Sequence, residues 1–177
     1  MLFLTFYSSE LLATEKEKII KKLKETRSIS FNFTQKTNSV IENGWCILAF
    51  PNKLKCVYDD KKQKELILNN NTLSITQKRY DKTFLYPVSK SPFLKILDKT
   101  ELINKIRKSD LENNKNVIKI IDKTHGERIV VFFDSKLFNI IGWEFIDQFN
   151  NNVSFSIKIL TTNFNIDLNQ FKHPKIN

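Results

Sequence analysis

Two hydrophobic periods organise the chain. Between residues 14 and 27, Ile19, Ile20 and Leu23 form one stripe among Lys and Glu. Thr14 with Glu17 three residues on has the form of a capping box, so a helix is expected there. From Ile29 the period becomes two: Ile29, Phe31 and Phe33 alternate with Ser30, Asn32 and Thr34, as in a half-buried strand. Gly44 opens a second run over 45–50, Pro51 and Asn52 mark a turn, and residues 54–58 continue as the other arm of a hairpin. Short strands are expected over 65–68, 73–77 and 84–86, with a turn at Asn69, Asn70 and Asn71.

Ser91 and Pro92 then supply a cap and a first-turn proline for a helix through Leu97, and a second helical pattern covers 101–108. After a polar connection over 110–116, strands are expected over 117–121, 127–133, 137–147 and 153–160. They are separated by Gly126, Asp134-Ser135 and Asn150 to Asn152, and an irregular or edge-strand tail starts at Asn163. Strands at this spacing, without a strand-helix-strand rhythm, predict a mainly β (α+β) fold around an antiparallel sheet of about ten strands. Such a sheet must curl, and its apolar face needs cover. Ile19, Ile20, Leu23, Phe93, Leu94, Ile96 and Leu97 on the helices are the natural cover. Periodicity alone leaves open whether the space between is filled or hollow.

Length and composition narrow the class. A chain of 177 residues with no repeat and no linker is expected to form one domain over 14–177. The 41% hydrophobic share with 15 Phe excludes a disordered chain. No stretch reaches ~18 consecutive apolar residues, the length a spanning helix needs. Residues 1–13 begin with a short apolar run, Met1 to Tyr7, and read as a signal peptide clipped of its basic start, which favours export. A packed hydrophobic first element is the alternative. The net charge of +10 suits any anionic partner surface, yet the basic residues are mostly dispersed lysines rather than a dense phosphate-binding block.

Catalytic patterns are missing. There is no Walker A pattern, no G-x-G-x-x-G and no G-x-S-x-G, with only three glycines to build such loops, and His125 and His173 sit in a turn and in the tail without a matched nucleophile. No catalytic residue, metal site or cofactor is expected, and the chain is not expected to be an enzyme; Cys46, Cys56, His125 and His173 match no zinc spacing. Cys46 and Cys56 flank the presumed turn, which places them nearly opposite across the hairpin. In an exported protein they are candidates for a cross-strand disulfide, but two small apolar fillers are the preferred reading.

The order of segments is more specific than any one of them. The amphipathic helix is followed by Ser30-Phe31-Asn32-Phe33-Thr34-Gln35, then Gly44, then Phe50-Pro51-Asn52-Lys53-Leu54-Lys55-Cys56-Val57-Tyr58. Leu66-Ile67-Leu68-Asn69-Asn70-Asn71-Thr72-Leu73 and Tyr86-Pro87-Val88-Ser89-Lys90-Ser91-Pro92-Phe93-Leu94-Lys95-Ile96-Leu97 come next. This series resembles the outer-membrane lipoprotein carrier protein family, the LolA-like proteins, over about residues 15–175. The resemblance implies a curved, half-open antiparallel β-barrel of about ten to eleven strands with a helical lid, in the periplasm. It also implies a monomer whose partners are acylated lipoproteins, an inner-membrane lipoprotein-releasing ABC transporter and an outer-membrane lipoprotein acceptor, with no nucleic acid. Expected lipid-binding residues are Leu48, Phe50, Leu54, Cys56 and Tyr58 on the sheet, with Phe93, Leu94 and Leu97 on the lid.

Two positions depart from the family pattern. Phe50 stands where relatives usually carry Arg, so it offers apolar contact in place of a polar tether from sheet to lid. Asn70-Asn71 replaces an Asp-Gly turn, with the positive φ expected at Asn71. Two other functions compete: a periplasmic lipid-binding or sensor module on the same fold, and a basic nucleic-acid-binding module. The second would expose its aromatics beside Lys, whereas Phe31, Phe33, Phe132 and Phe145 are expected to face inward.

Overall fold

A computed structural model describes residues 14–88, 96–122, 128–147 and 150–175. Helix α1 spans Glu15–Glu25 behind the expected capping box, with the Thr14 hydroxyl accepting from the Glu17 amide at 3.3 Å and Glu17 accepting from the Thr14 amide at 2.7 Å. Eleven strands follow: β1 (Ser28–Thr37), β2 (Val40–Ala49), β3 (Lys53–Tyr58), β4 (Lys64–Asn69), β5 (Thr72–Gln77), β6 (Lys82–Pro87), β7 (Asp110–Asn114), β8 (Val117–Asp122), β9 (Ile129–Asp134), β10 (Ile140–Ile146) and β11 (Asn152–Thr162). Between β6 and β7 lie the helical residues Ile96 and Leu97 and helix α2 (Lys99–Lys108), which Asp98 caps.

All strands join one antiparallel sheet in the order β6-β5-β4-β3-β2-β1-β11-β10-β9-β8-β7. The first and last strands therefore meet at its centre, in register from Ile29 with Thr162 to Thr37 with Val153. Strands β6 and β7 are left as opposite edges, so the sheet is open rather than a closed barrel. Period-two alternation places Ile29, Phe31, Phe33, Cys46, Leu48, Leu54, Cys56, Leu68, Ile118, Ile120, Ile129, Val131, Phe133, Trp143 and Ile157 on one face, all buried. Ile19, Ile20 and Leu23 of α1, with Ile96, Leu97, Leu102, Ile103 and Ile106, close over that inner face in one cluster. Polar ties hold the helices down. Lys16 donates to the Ser109 carbonyl at 2.6 Å, and Lys105 pairs with Asp122 of β8.

Several sequence expectations are corrected. Residues 110–114 are a strand, not a connection: β7 is an exposed edge that needs no apolar face of its own once β8 pairs with it. Gly44 lies inside β2 rather than opening it. A Cβ there would lie 2.1 Å from the Val57 carbonyl oxygen and 2.9 Å from the Phe33 ring, so the glycine marks a close approach. In the β4–β5 turn the positive φ falls on Asn70, at 55°, one residue before the expected Asn71. Phe132 points away from Val131 and Phe133, onto the outer face, where Lys119 lies 5.9 Å from its ring. Phe31, Phe33 and Phe145 are on the inner face as expected.

The tail is irregular, the first of the two expected forms, and not an edge strand. Residues 168–171 form one 3-10 turn behind the Asp167 cap, and Phe171 is fully buried on the outer face against Ala49 and Ile67. His173 Nδ1 lies 3.0 Å from the buried Ser74 hydroxyl, and burial lowers the His173 pKa from its ordinary value. Phe171→Ala is expected to cost about 3 kcal/mol in denaturant unfolding. Because the unfolded chain binds a proton at His173 more readily than the folded one, stability is full above the unfolded value of 6.5 and is lost as pH falls below it toward the lower folded value. A His173→Gln variant should lose that acid-side slope in unfolding curves taken from pH 7.5 to 5.

Candidate functional site

The inner face is not evenly covered. Among the described residues the inner face is well packed: Phe31, Phe133 and Trp143 are fully buried, Phe31 meets Trp143 edge-on with ring centroids 6.4 Å apart, Trp143 stacks on Phe155 at 5.0 Å, and Phe33 meets Tyr58 edge-on at 4.9 Å. The void between α2 and strands β8 and β9 measures only about 10 Å³, too little for a guest. Toward β6 the described residues of the inner face become more exposed. Register carries the apolar rows across the sheet from Leu48 through Leu54, Leu68 and Leu73 to Tyr86, and from Cys46 through Cys56, Leu66 and Ile75 to Phe84. Leu66, Leu73 and Ile75 are half-buried, while Phe84 and Tyr86 are each 44% exposed. The result is an apolar strip continuous with the core and open at the β6 edge.

Of the residues expected to bind lipid, Leu48, Leu54, Cys56 and Tyr58 come together on the inner face of β2 and β3, all buried. Leu97 is buried with them, in the helical pair before α2. Phe93 and Leu94, with the start of the helix expected from Ser91, lie outside the described residues, as do residues 1–13 and His125. The sequence reading omitted Leu66, Leu73, Ile75, Phe84 and Tyr86 from the site. Their alternation was visible, but only the strand register shows that they extend the rows of Leu48 and Cys46.

Cys46 and Cys56 are a disulfide, which corrects the preferred reading of two apolar fillers. They face each other directly in the β2–β3 ladder with Cα atoms 4.1 Å apart. The Asp59 amide bonds the Asn43 carbonyl, so by alternation the 46/56 pair exchanges no backbone hydrogen bonds, and such pairs bring side chains closest. The disulfide is buried in the apolar floor and leads on to Leu66.

Phe50 takes part in a tie between sheet and lid, in which the charge comes from the lid side. Lys99, the first residue of α2, donates to the Thr26 carbonyl beyond α1 at 2.6 Å and sets its ammonium 5.0 Å from the Phe50 ring centroid. The Phe50 amide in turn donates to the Arg27 carbonyl at 3.0 Å. One cation thus holds the end of α1, the β2–β3 turn and the start of α2. Burial lowers the Lys99 pKa, and the carbonyl and ring offset the cost of keeping the ammonium charged there.

The strip ends in a polar rim. Tyr58 donates its hydroxyl to Gln35 Oε1 at 2.7 Å, Lys64 lies 3.7 Å from the centre of the Tyr58 ring, and Lys64 pairs with Glu42. Burial, and after it the charges of Glu42 and Asp60, push the Tyr58 pKa far up, so the phenol keeps its proton. Larger grooves of about 660 and 520 Å³ lie on the other face, where Gly142, Ser156, Thr34 and Asn43 form a low row across the sheet between Phe132 and Trp45. Both are open to solvent; the smaller is mostly polar, and the larger is mostly apolar, lined by Ile41, Val117, Phe132 and Ile141 beside Lys36, Lys119 and Glu144. Among the described residues no group of His, Cys, Asp and Glu gathers to hold a metal, and no helix is long and apolar enough to cross a membrane.

Comparison with known proteins places this geometry. The family model described as outer membrane lipoprotein carrier protein LolA matches residues 24–174. No curated protein sequence matches the chain significantly. Among solved structures, an uncharacterised conserved protein of Thermus thermophilus superposes with a TM-score of 0.56 at 7% identity, covering 91% of this chain and 93% of that one. A DUF1329 family protein of Desulfovibrio piger superposes with a TM-score of 0.51 at 7% identity, covering 90% and 96%. At these identities the likeness is one of fold.

Because Lys99 joins three elements, Lys99→Met or Phe50→Ala should loosen the lid before the sheet. Each is expected to lower stability by about 1–2 kcal/mol. In hydrogen exchange, the amides of α2 should speed up while those of β1 and β11 stay protected.

Proposed function

The chain belongs to the outer membrane lipoprotein carrier protein (LolA) family, and on that premise we propose that it is a periplasmic carrier for the acyl chains of lipoproteins. It takes them from an inner-membrane ABC transporter and hands them to an outer-membrane acceptor, making and breaking no covalent bond. The observation that supports this best is the strip of Leu66, Leu73, Ile75, Phe84 and Tyr86, which continues the core to an open edge. Contiguous exposed apolar surface of this kind marks a binding region rather than a solvated face.

The physics of the cargo sets what such a site must do. Each buried CH₂ is worth ~0.8 kcal/mol, so one chain of ~15 CH₂ groups would cost about 12 kcal/mol to leave in water. The carrier has to match most of that and still let go. Among the described residues the inner face under the helices is occupied by the protein's own side chains, so on this reading a whole chain enters when the lid moves. Lys99 with Phe50 and Thr26 on one side, and Lys105 with Asp122 on the other, are the ties that movement breaks. A carrier whose empty form is packed and whose loaded form is open pays part of the binding energy into opening, and this keeps release within reach.

Native mass spectrometry of the protein recovered from cell envelopes tests the proposal. The expected result is a bound acylated species that a purified acceptor strips away. Recovery of the protein with no acylated species, together with failure to bind acylated peptide in solution, would overturn it. Phe84→Asp should weaken acyl-chain binding at least tenfold, while unfolding stability changes little because the position is already exposed.

A further inference from the structure

The rim of the apolar strip has a chemistry of its own. Along β4 the inner-face positions run Leu68, Leu66 and then Lys64, and across the sheet Lys64 stands level with Gln77 and Lys82. From the Leu68 row to the Lys64 row is four residues, roughly 13 Å of floor. The Leu68 end runs toward the β2–β3 turn and the Lys99 tie; the Lys64 end faces away from both helices' junction. A chain lying along this floor with its tail toward the lid therefore has its head at Lys64.

What waits there is a donor beside an acceptor. Lys64 pairs with Glu42, whose side chain retains 28% of its exposure while that of Lys64 retains 20%, so both are within a ligand's reach. The pair is held in place from beneath. Tyr58 supports the ammonium with its ring, and its hydroxyl is committed to Gln35, which in turn donates to Thr37 at 3.0 Å. Lys64 offers N–H groups beyond the one that meets Glu42, and Glu42 has a second carboxylate oxygen. An amide presents the complement: a carbonyl for the ammonium and, one bond away, an N–H for the carboxylate. A free fatty acid does not fit, because its carboxylate meets Glu42 as a like charge.

We propose that Lys64 and Glu42, braced by Tyr58 and Gln35, are the seat for the amide at the head of an N-acyl chain whose tail runs from there across the row of Leu66, Ile75 and Phe84 toward that of Leu68. This rests on the acyl-carrier reading and adds to it the class of head group and the direction of the chain.

Three probes of equal chain length test it on the intact protein: an N-palmitoyl dipeptide amide, palmitate, and a hydrocarbon of sixteen carbons without a head. The seat predicts that the palmitoyl amide binds more tightly than palmitate. It also predicts that Lys64→Met and Glu42→Gln each weaken the amide roughly five- to tenfold and leave the hydrocarbon unchanged. Glu42→Gln should in addition improve palmitate, since it removes the like charge. Circular dichroism and unfolding curves show that each variant is folded, and the comparison of the three probes on the unaltered protein needs no variant. Equal binding of amide and palmitate, or equal losses for amide and hydrocarbon in both variants, would overturn the seat while the carrier reading stands. If none of the three binds, both fall.

Discussion

The ladder between β1 and β11 is the constraint from which the rest of the structure follows. It joins the strand after α1 to the last strand of the chain, from Ile29 with Thr162 to Thr37 with Val153. Without it, β1 to β6 and β7 to β11 would be two separate meanders. With it they become one sheet whose edges, β6 and β7, are consecutive in sequence yet lie at opposite ends. The chain between those edges must cross the sheet, and the inner face, dense with Phe, Ile and Leu, is where crossing buries most apolar surface. A helical cover is thus a consequence of the strand order.

That arrangement also explains why cover and opening coexist. The described helices join one buried cluster with Phe31, Phe133 and Trp143, and the exposure of the inner face rises toward β5 and β6. The outer face solves a different problem. Ala49 and Ile67 would stand exposed on it, and the tail supplies Phe171 to cover them, while the inner strip near β6 keeps Phe84 and Tyr86 exposed. Opposing demands meet at Phe50. The Phe50 ring at the β2–β3 turn receives a lysine from the lid side, and the same lysine holds the carbonyl that follows α1.

Much was legible from local pattern. The α1 capping box, the alternation of β1, the Pro51-Asn52 turn and the helix expected over 101–108 each carry their signal within a few residues; the first three appear where the pattern placed them, and the helix begins two residues earlier, at Lys99. β7 was not legible, since Asp110, Glu112, Asn113 and Asn114 have no apolar period and become a strand only because β8 offers a partner. Phe132 was assigned inward from hydrophobicity alone, whereas Val131 and Phe133 had already taken the inner positions on β9. The disulfide escaped for a related reason. Spacing put Cys46 and Cys56 near each other, but only the register made them a directly opposed pair that shares no backbone hydrogen bonds.

The sequence by itself determined the alphabet of elements: a capped helix, a run of short alternating strands, a helical interruption, more strands, and one face apolar enough to demand a cover. These depend on spacing within a few residues, which a linear pattern carries in full. Only the tertiary structure decided which strands are neighbours, and with that the joining of β1 to β11, the placing of Phe84 and Tyr86 in line with Leu48 and Cys46, and the meeting of Lys64 with Glu42. Partners distant in sequence are chosen by the joint burial of many side chains, so no short stretch of the chain encodes them.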